Sequence, residues 1–135
     1  MSATEVFFDT NIVVYFASEN EAKAGVAARL LRAGGTISVQ VLNEFLNVGL
    51  LKHRLTFANV HTTLTAVRAV CRVEPLTIET HERAFSICER YQLNVYDALI
   101  IAAAQLAGCR TLYSEDMHDG LTIDGLTIRN PFVAR

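Results

Sequence analysis

Asp9 interrupts the apolar run "EVFFDTNIVVYF", and a carboxylate set between Phe8 and Ile12 is costly to bury unless something pairs with it. Glu44 lies in "VLNEFLNV", where Val41, Glu44, Phe45 and Val48 share the i, i+3, i+4, i+7 stripe of one helix. Asp97 follows "NVY" and precedes the almost wholly apolar "ALIIAAAQLAG", and Glu115, Asp116 and Asp119 crowd into "TLYSEDMHDG". Each acid has an ordinary explanation. A lone Glu at the border of a stripe reaches water, Asn94 as N-cap with Asp97 at N3 makes a helix start, and a polar loop is solvated. What calls for chemistry is that separate segments each place an acid at a strand terminus or on a core-facing stripe.

Two carboxylates about 4 Å apart repel by roughly 4 kcal/mol at an effective dielectric of 20, so a converging set must protonate or bind a cation. An all-oxygen donor set suits hard Mg²⁺ or Mn²⁺, whereas zinc favours His or Cys ligands. His53, His61, His81 and His118 show no H-E-x-x-H or comparable spacing, and they are read as structural or solvated.

The elements that must position these acids follow from periodicity. Val6 to Phe8 reads as a buried strand, "EAKAGVAARLLRAGG" as an amphipathic helix closed by glycines, and "TISV" as a second strand. "QVLNEFLNVGLLKHR" and "TFANVHTTLTAVRAVC" are helical, followed by a strand at "RVEPL". "TIETHERAFSICERYQ" and "VYDALIIAAAQLAG" are helical again, with strands at "RTLYS" and "LTIR". Pro75 and Pro131 fall where strands are expected, and Asp124-Gly125 in "LTIDGLTI" is a turn signal. Strands alternating with helices predict an α/β fold with a parallel sheet covered on both faces, whose ligands bind at the carboxyl ends of the strands.

The 135 residues suit a single domain over 1–135. With 51% hydrophobic and 19% charged residues, disorder is excluded and apolar surface is left for a partner, with a homodimer expected. No apolar run approaches the roughly 18 residues of a membrane span, and the absence of Lys or Arg before Lys23 argues against a targeting peptide. A cytoplasmic protein is expected. Cys71, Cys88 and Cys109 form no C-x-x-C and read as reduced core residues. A net charge of −2 gives no broad nucleic-acid footprint, and the one tight basic cluster is Lys52 to Arg54.

Together, "FFDTNIVVYF", "SVQVLNEF", "NVYDALIIAAA" and "LYSEDMHDG…GLTIRNPF" resemble a PIN-domain ribonuclease, specifically the VapC toxin of a VapBC toxin–antitoxin pair, over nearly the whole chain. The resemblance implies a small parallel β-sheet sandwiched between α-helices in three layers. It places the family's acids on Asp9, Glu44, Asp97 and Asp116 as catalytic residues and metal ligands, with Asn11 and Ser114 in supporting positions. Asp119 is the backup for the fourth acid. It further implies Mg²⁺ or Mn²⁺ as cofactor, hydrolysis of structured-RNA loops such as those of tRNA or rRNA, inhibition of translation, and a VapB-type antitoxin as partner.

Two other readings compete. A receiver or phosphatase-like domain would use Asp9 as phospho-acceptor, but "DTN" lacks a second aspartate and no Lys occurs after Lys52 to hold a phosphoryl group. A non-catalytic interaction module would bind a cation only for stability.

Overall fold

The computed structural model describes residues 5–133. The sheet is built from β1 (Val6–Phe8), β2 (Gly35–Ser38), β3 (Cys71–Glu74), β4 (Thr111–Tyr113), β5 (Thr122–Ile123) and β6 (Leu126–Arg129), in the spatial order β3-β2-β1-β4-β6-β5. All neighbours pair in parallel except β5 with β6, which form an antiparallel hairpin. The helices are α1 (Thr10–Phe16), α2 (Glu21–Arg32), α3 (Val39–Leu51), α4 (Phe57–Val70), α5 (Ile78–Tyr91) and α6 (Val95–Leu106). Helices α1 to α4 pack on one another and α5 packs on α6, giving the expected α/β/α sandwich.

Why β1 sits at the centre is legible in its residues. Val6, Phe7 and Phe8 are all buried, as a parallel strand covered on both faces must be, and so it reads as a continuous apolar run. Helix α6 is buried along Ala98 and Ile100 to Ala104, which accounts for its lack of a polar face. From β1 the chain winds outward through β2 to β3, then returns to the other side of β1 to lay down β4. The reversal lies between β1 and β4, where the amide of Asp9 donates to the carbonyl of Tyr113 at 3.0 Å. In open α/β sheets such a reversal leaves a crevice at the carboxyl ends of the strands.

Three details depart from the sequence reading. The apolar run after Asp9 becomes a helix, because Asp9 takes the N-cap position and its own carboxylate accepts from the amide of Thr10. Pro75 and Pro131 fall just past the ends of β3 and β6 rather than within strands, since proline has no N–H to give a ladder. Cys88 is half-buried, although Cys71 and Cys109 are in the core as expected. The Asp124-Gly125 turn does close the β5–β6 hairpin, with positive φ at both residues (46° and 88°), as a type I′ turn requires.

Gly35 in β2 shows how tightly the centre of the sheet is packed. A Cβ there would lie 2.5 Å from Cε2 of Phe8 and 3.0 Å from Cγ2 of Val6. Phe8 is fully buried and stacks on Tyr113 with ring centroids 6.0 Å apart, so its ring has no room to retreat. Gly35→Ala is expected to lower unfolding stability by about 1–3 kcal/mol through overpacking. Urea titration should show a lower midpoint at an unchanged slope; an unchanged midpoint would mean the ring moves freely.

Candidate active site

Asp9 ends β1 and is only 7% exposed. Its Oδ1 accepts from the Thr10 amide at 2.7 Å, and its Oδ2 accepts from Ser114 Oγ at 2.7 Å and Asn11 Nδ2 at 3.3 Å. Ser114, just past the end of β4 and fully buried, accepts in turn from the amides of Asp116 and Met117 at 3.2 and 3.3 Å. One hydroxyl therefore ties the β1 acid to the turn that carries Asp116. Asn11 spans the same gap from the other side. Its Nδ2 donates to Asp116 Oδ2 at 3.2 Å and its Oδ1 accepts from the Glu115 amide at 3.1 Å.

Glu44 is oriented by two residues that the sequence reading passed over. Thr10 Oγ1 and Gln40 Nε2 both donate to its Oε1, at 2.9 and 3.2 Å, and Gln40 Nε2 also donates to the carbonyl of Tyr96 at 3.0 Å. Gln40 stands one helical turn before Glu44 on the same face of α3, a spacing that could have singled it out. Asp97 occupies the N3 position of α6. Asn94 caps that helix by accepting from the Asp97 amide at 3.0 Å and returns Nδ2 to the Asp97 carboxylate at 2.9 Å, so the capping reading of these two residues holds.

Asp9, Glu44, Asp97 and Asp116 all line one cavity of about 410 Å³, together with Asn11, Tyr15, Lys52, His53 and Tyr96. Asp119 does not line it, and its carboxylate accepts from the Asn130 amide at 2.8 Å. His61, His81 and His118 are exposed and also lie off this cavity.

Electrostatics agree with the clustering. Burial pushes the Asp9 carboxyl up from 3.8 to about 6; the hydrogen bonds from Ser114 and Thr10 oppose the rise, while the charges of Glu44 and Asp97 add to it. Asp97 is also raised, first by burial and then by Asp116, against the hydrogen bond from Asn94. Each acid leans on neutral donors, and among the described residues none of the four has a cationic partner within salt-bridge distance. Nor do any three His, Cys, Asp or Glu side chains among those residues draw together into a ready-made metal-binding group. The four acids share one cavity without closing on a single point.

A PIN-domain family model matches residues 6–118 of this chain. The chain belongs to the PIN-domain family. The matched span includes Asp9, Glu44, Asp97 and Asp116 and stops one residue short of Asp119. Solved structures share the PIN architecture. A toxin–antitoxin complex from Klebsiella pneumoniae is 26% identical with a TM-score of 0.71, covering 93% of this chain and 97% of that one. VapC20 of Mycobacterium tuberculosis, a toxin that cleaves the sarcin–ricin loop, is 24% identical with a TM-score of 0.68, covering 82% and 89%. VapBC2 of Rickettsia felis, bound to a promoter DNA fragment, is 18% identical with a TM-score of 0.67, covering 93% and 97%. No curated protein matches the sequence.

The PIN domain also contains a polar brace beside the acids that no sequence pattern announced. Glu115 accepts from Tyr15 OH at 2.6 Å and pairs with Lys23 of α2. Burial alone would raise the Glu115 carboxyl, but the hydrogen bonds from Lys23 and Tyr15 outweigh it and hold the carboxyl below its usual range. Lys23 lies over the Tyr15 ring, 4.5 Å from its centroid, and Tyr15 meets Phe132 edge-on at 4.8 Å. This brace anchors Glu115, so the two residues that lead into Asp116, Ser114 and Glu115, are both held by side-chain contacts.

Proposed function

We propose that this PIN domain is a divalent-metal-dependent endoribonuclease acting as the VapC-type toxin of a toxin–antitoxin pair. The observation that carries the reading is the common cavity of Asp9, Glu44, Asp97 and Asp116 at the reversal point of the sheet. The donor set fits Mg²⁺ or Mn²⁺: it is all oxygen, and Asp9 is a buried carboxylate whose ionisation is opposed until positive charge arrives. Asp9, Glu44 and Asp97 would hold the ion, with Asp116 as a further ligand or as the group that orients water. When bound, the ion supplies Lewis acidity for in-line hydrolysis of a phosphodiester.

The rest is done by the chain's own side chains. Thr10 and Gln40 aim Glu44, Asn94 aims Asp97, and Asn11 with Ser114 sets Asp9 against Asp116. These donors fix the carboxylates before substrate enters, so little ordering is left for the reacting complex. The substrate class follows the toxin relatives: a structured-RNA loop of tRNA or rRNA, whose cleavage would stop translation.

A VapB-type antitoxin is the expected partner. Ile78 and Phe85 of α5 and Val95 of α6 are exposed, which supplies apolar surface for an antitoxin or for a second copy of the chain in a homodimer. An Arg from the antitoxin could pair with the acid cluster and block it. Expression in a bacterial host tests the toxin role. The wild type is expected to arrest growth, Asp97→Asn to be harmless, and the cognate antitoxin to restore growth by forming a stable complex. Unimpaired growth with wild-type protein accumulating would remove the toxin role and leave the nuclease assignment to be decided by cleavage.

A further inference from the structure

The basic turn Lys52-His53-Arg54, at the end of α3, takes no part in holding or aiming the acids. Lys52 and His53 nevertheless line the same cavity as the four carboxylates. A second cavity, of about 410 Å³, shares Val14, Ser18 and His53 with the first and continues past them to Ala17, Glu19, Phe45 and Leu55, while Arg54 lines neither. The two spaces form a groove that starts at the acids and passes the basic turn.

The turn is built rather than frayed. The amides of Lys52 and His53 both donate to the Val48 carbonyl, at 2.9 and 3.1 Å, and the Leu55 amide donates to the Gly49 carbonyl at 2.9 Å. Arg54 takes a left-handed conformation with φ of 55°. All three side chains are exposed, and none enters the ion pairs Lys23–Glu115, Arg72–Glu74 and Arg90–Asp124. The chain has only two lysines, and the ammonium of Lys23 is already held by Glu115 and Tyr15. Lys52 is thus the one lysine left to meet an anion at this groove.

We infer that Lys52 and His53, with the charge of the adjoining Arg54 behind them, form a phosphate-backbone subsite, which holds single-stranded RNA by a phosphate flanking the one to be cut. The inference rests on the nuclease reading and adds the attraction for substrate that the acids cannot supply. A cavity walled by carboxylates repels polynucleotide, and in a chain of net charge −2 the attraction must be local. A fixed cationic turn at the far side of the groove gives the strand a register as well as affinity, because phosphate contacts position without reading sequence. Lys and Arg contacts of this kind contribute through counterion release and make binding depend on salt.

The test uses the full chain and a labelled single-stranded RNA oligonucleotide. Lys52→Gln with Arg54→Asn removes both permanent charges, Asn being tolerant of the left-handed conformation. This variant should raise KM at least about tenfold, change kcat far less, and reduce the salt slope of RNA binding by about 0.7 for each phosphate that is no longer neutralised. Lys52→Arg should keep wild-type KM, and Arg68→Gln, an exposed α4 cation off the groove, should behave as wild type. Melting temperatures within a degree or two of the wild type, as befits exposed positions, exclude misfolding. An unchanged KM and salt slope in a variant that cuts normally would overturn the subsite and leave the nuclease reading intact. If the wild type cuts no RNA, the nuclease reading fails by itself. Binding by the uncharged variant equal to wild-type binding would then overturn the subsite as well.

Discussion

Asp97→Asn is expected to reduce RNA cleavage by about a thousandfold with the fold undisturbed. The substitution keeps the side-chain volume, and the α6 cap survives it, because Asn94 accepts from the backbone amide of residue 97 and an amide oxygen can still receive Asn94 Nδ2. What disappears is one negative charge from the set that would hold the cation. Removal of one preorganised electrostatic element from a reaction centre commonly costs on the order of 10²–10³ in rate, and a metal ligand falls at the upper end. EDTA should abolish cutting to the same floor, and Mn²⁺ or Mg²⁺ should restore it. The fourth acid is settled in the same assay: Asp116→Asn should lose activity, whereas Asp119→Asn should retain it, since Asp119 lies off the cavity and receives the Asn130 amide. Full activity in EDTA, or an Asp97→Asn rate within tenfold of wild type, would sink the metal mechanism.

The sequence and the structure agree where one residue type has one physical reason to be present. A strand buried on both faces must be apolar throughout, as β1 is, and a helix buried on most sides has no polar stripe, as in α6. The acids were legible for the opposite reason: Asp9 and Glu44 are charges in apolar surroundings, and Asn94 with Asp97 is a cap with an acid in the first turn. Helix α1 was not legible. Ile12, Val13 and Val14 are β-branched and locally favour a strand, and only the Asp9 cap and packing against α2 and α3 turn them into a helix. Asp116 stood ahead of Asp119 only through the family resemblance, because loop spacing alone does not say which carboxylate a turn directs toward the cavity. The Lys23–Glu115 brace joins residues 92 apart with no periodicity to connect them. The Lys52 to Arg54 cluster was visible as composition, but its place on the wall of the acid cavity is a fact of tertiary structure alone.

The second large effect concerns stability, and its sign follows from Asp9. In the unfolded chain this carboxyl titrates near 3.8, and in the fold burial raises it to about 6. Between these values the folded protein binds more protons than the unfolded one. Unfolding free energy therefore falls as pH rises. The contribution is fully present below about 3.8 and is lost as pH passes 6, a span of about 3 kcal/mol at 1.36 kcal/mol per pKa unit. Asp97 is raised as well and adds in the same direction, whereas Glu115 is lowered and acts in the opposite one. The decisive quantity is thus the difference between wild type and Asp9→Asn, in which groups uncoupled from Asp9, such as Glu115, cancel, while Glu44 and Asp97 are relieved of its charge. Urea unfolding in EDTA should show that difference widening from pH 4 to pH 7. At the upper end the variant should be more stable by about 1–2 kcal/mol, part of the gain being offset by a poorer hydrogen bond to Ser114 or Asn11. Mn²⁺ should stabilise the wild type at pH 7.5 by mass action and the variant much less. Parallel pH curves for the two proteins, or an Asp9→Asn variant weakened like a core mutant at every pH, would show that Asp9 is a structural residue satisfied by its hydrogen bonds rather than a buried charge awaiting a cation.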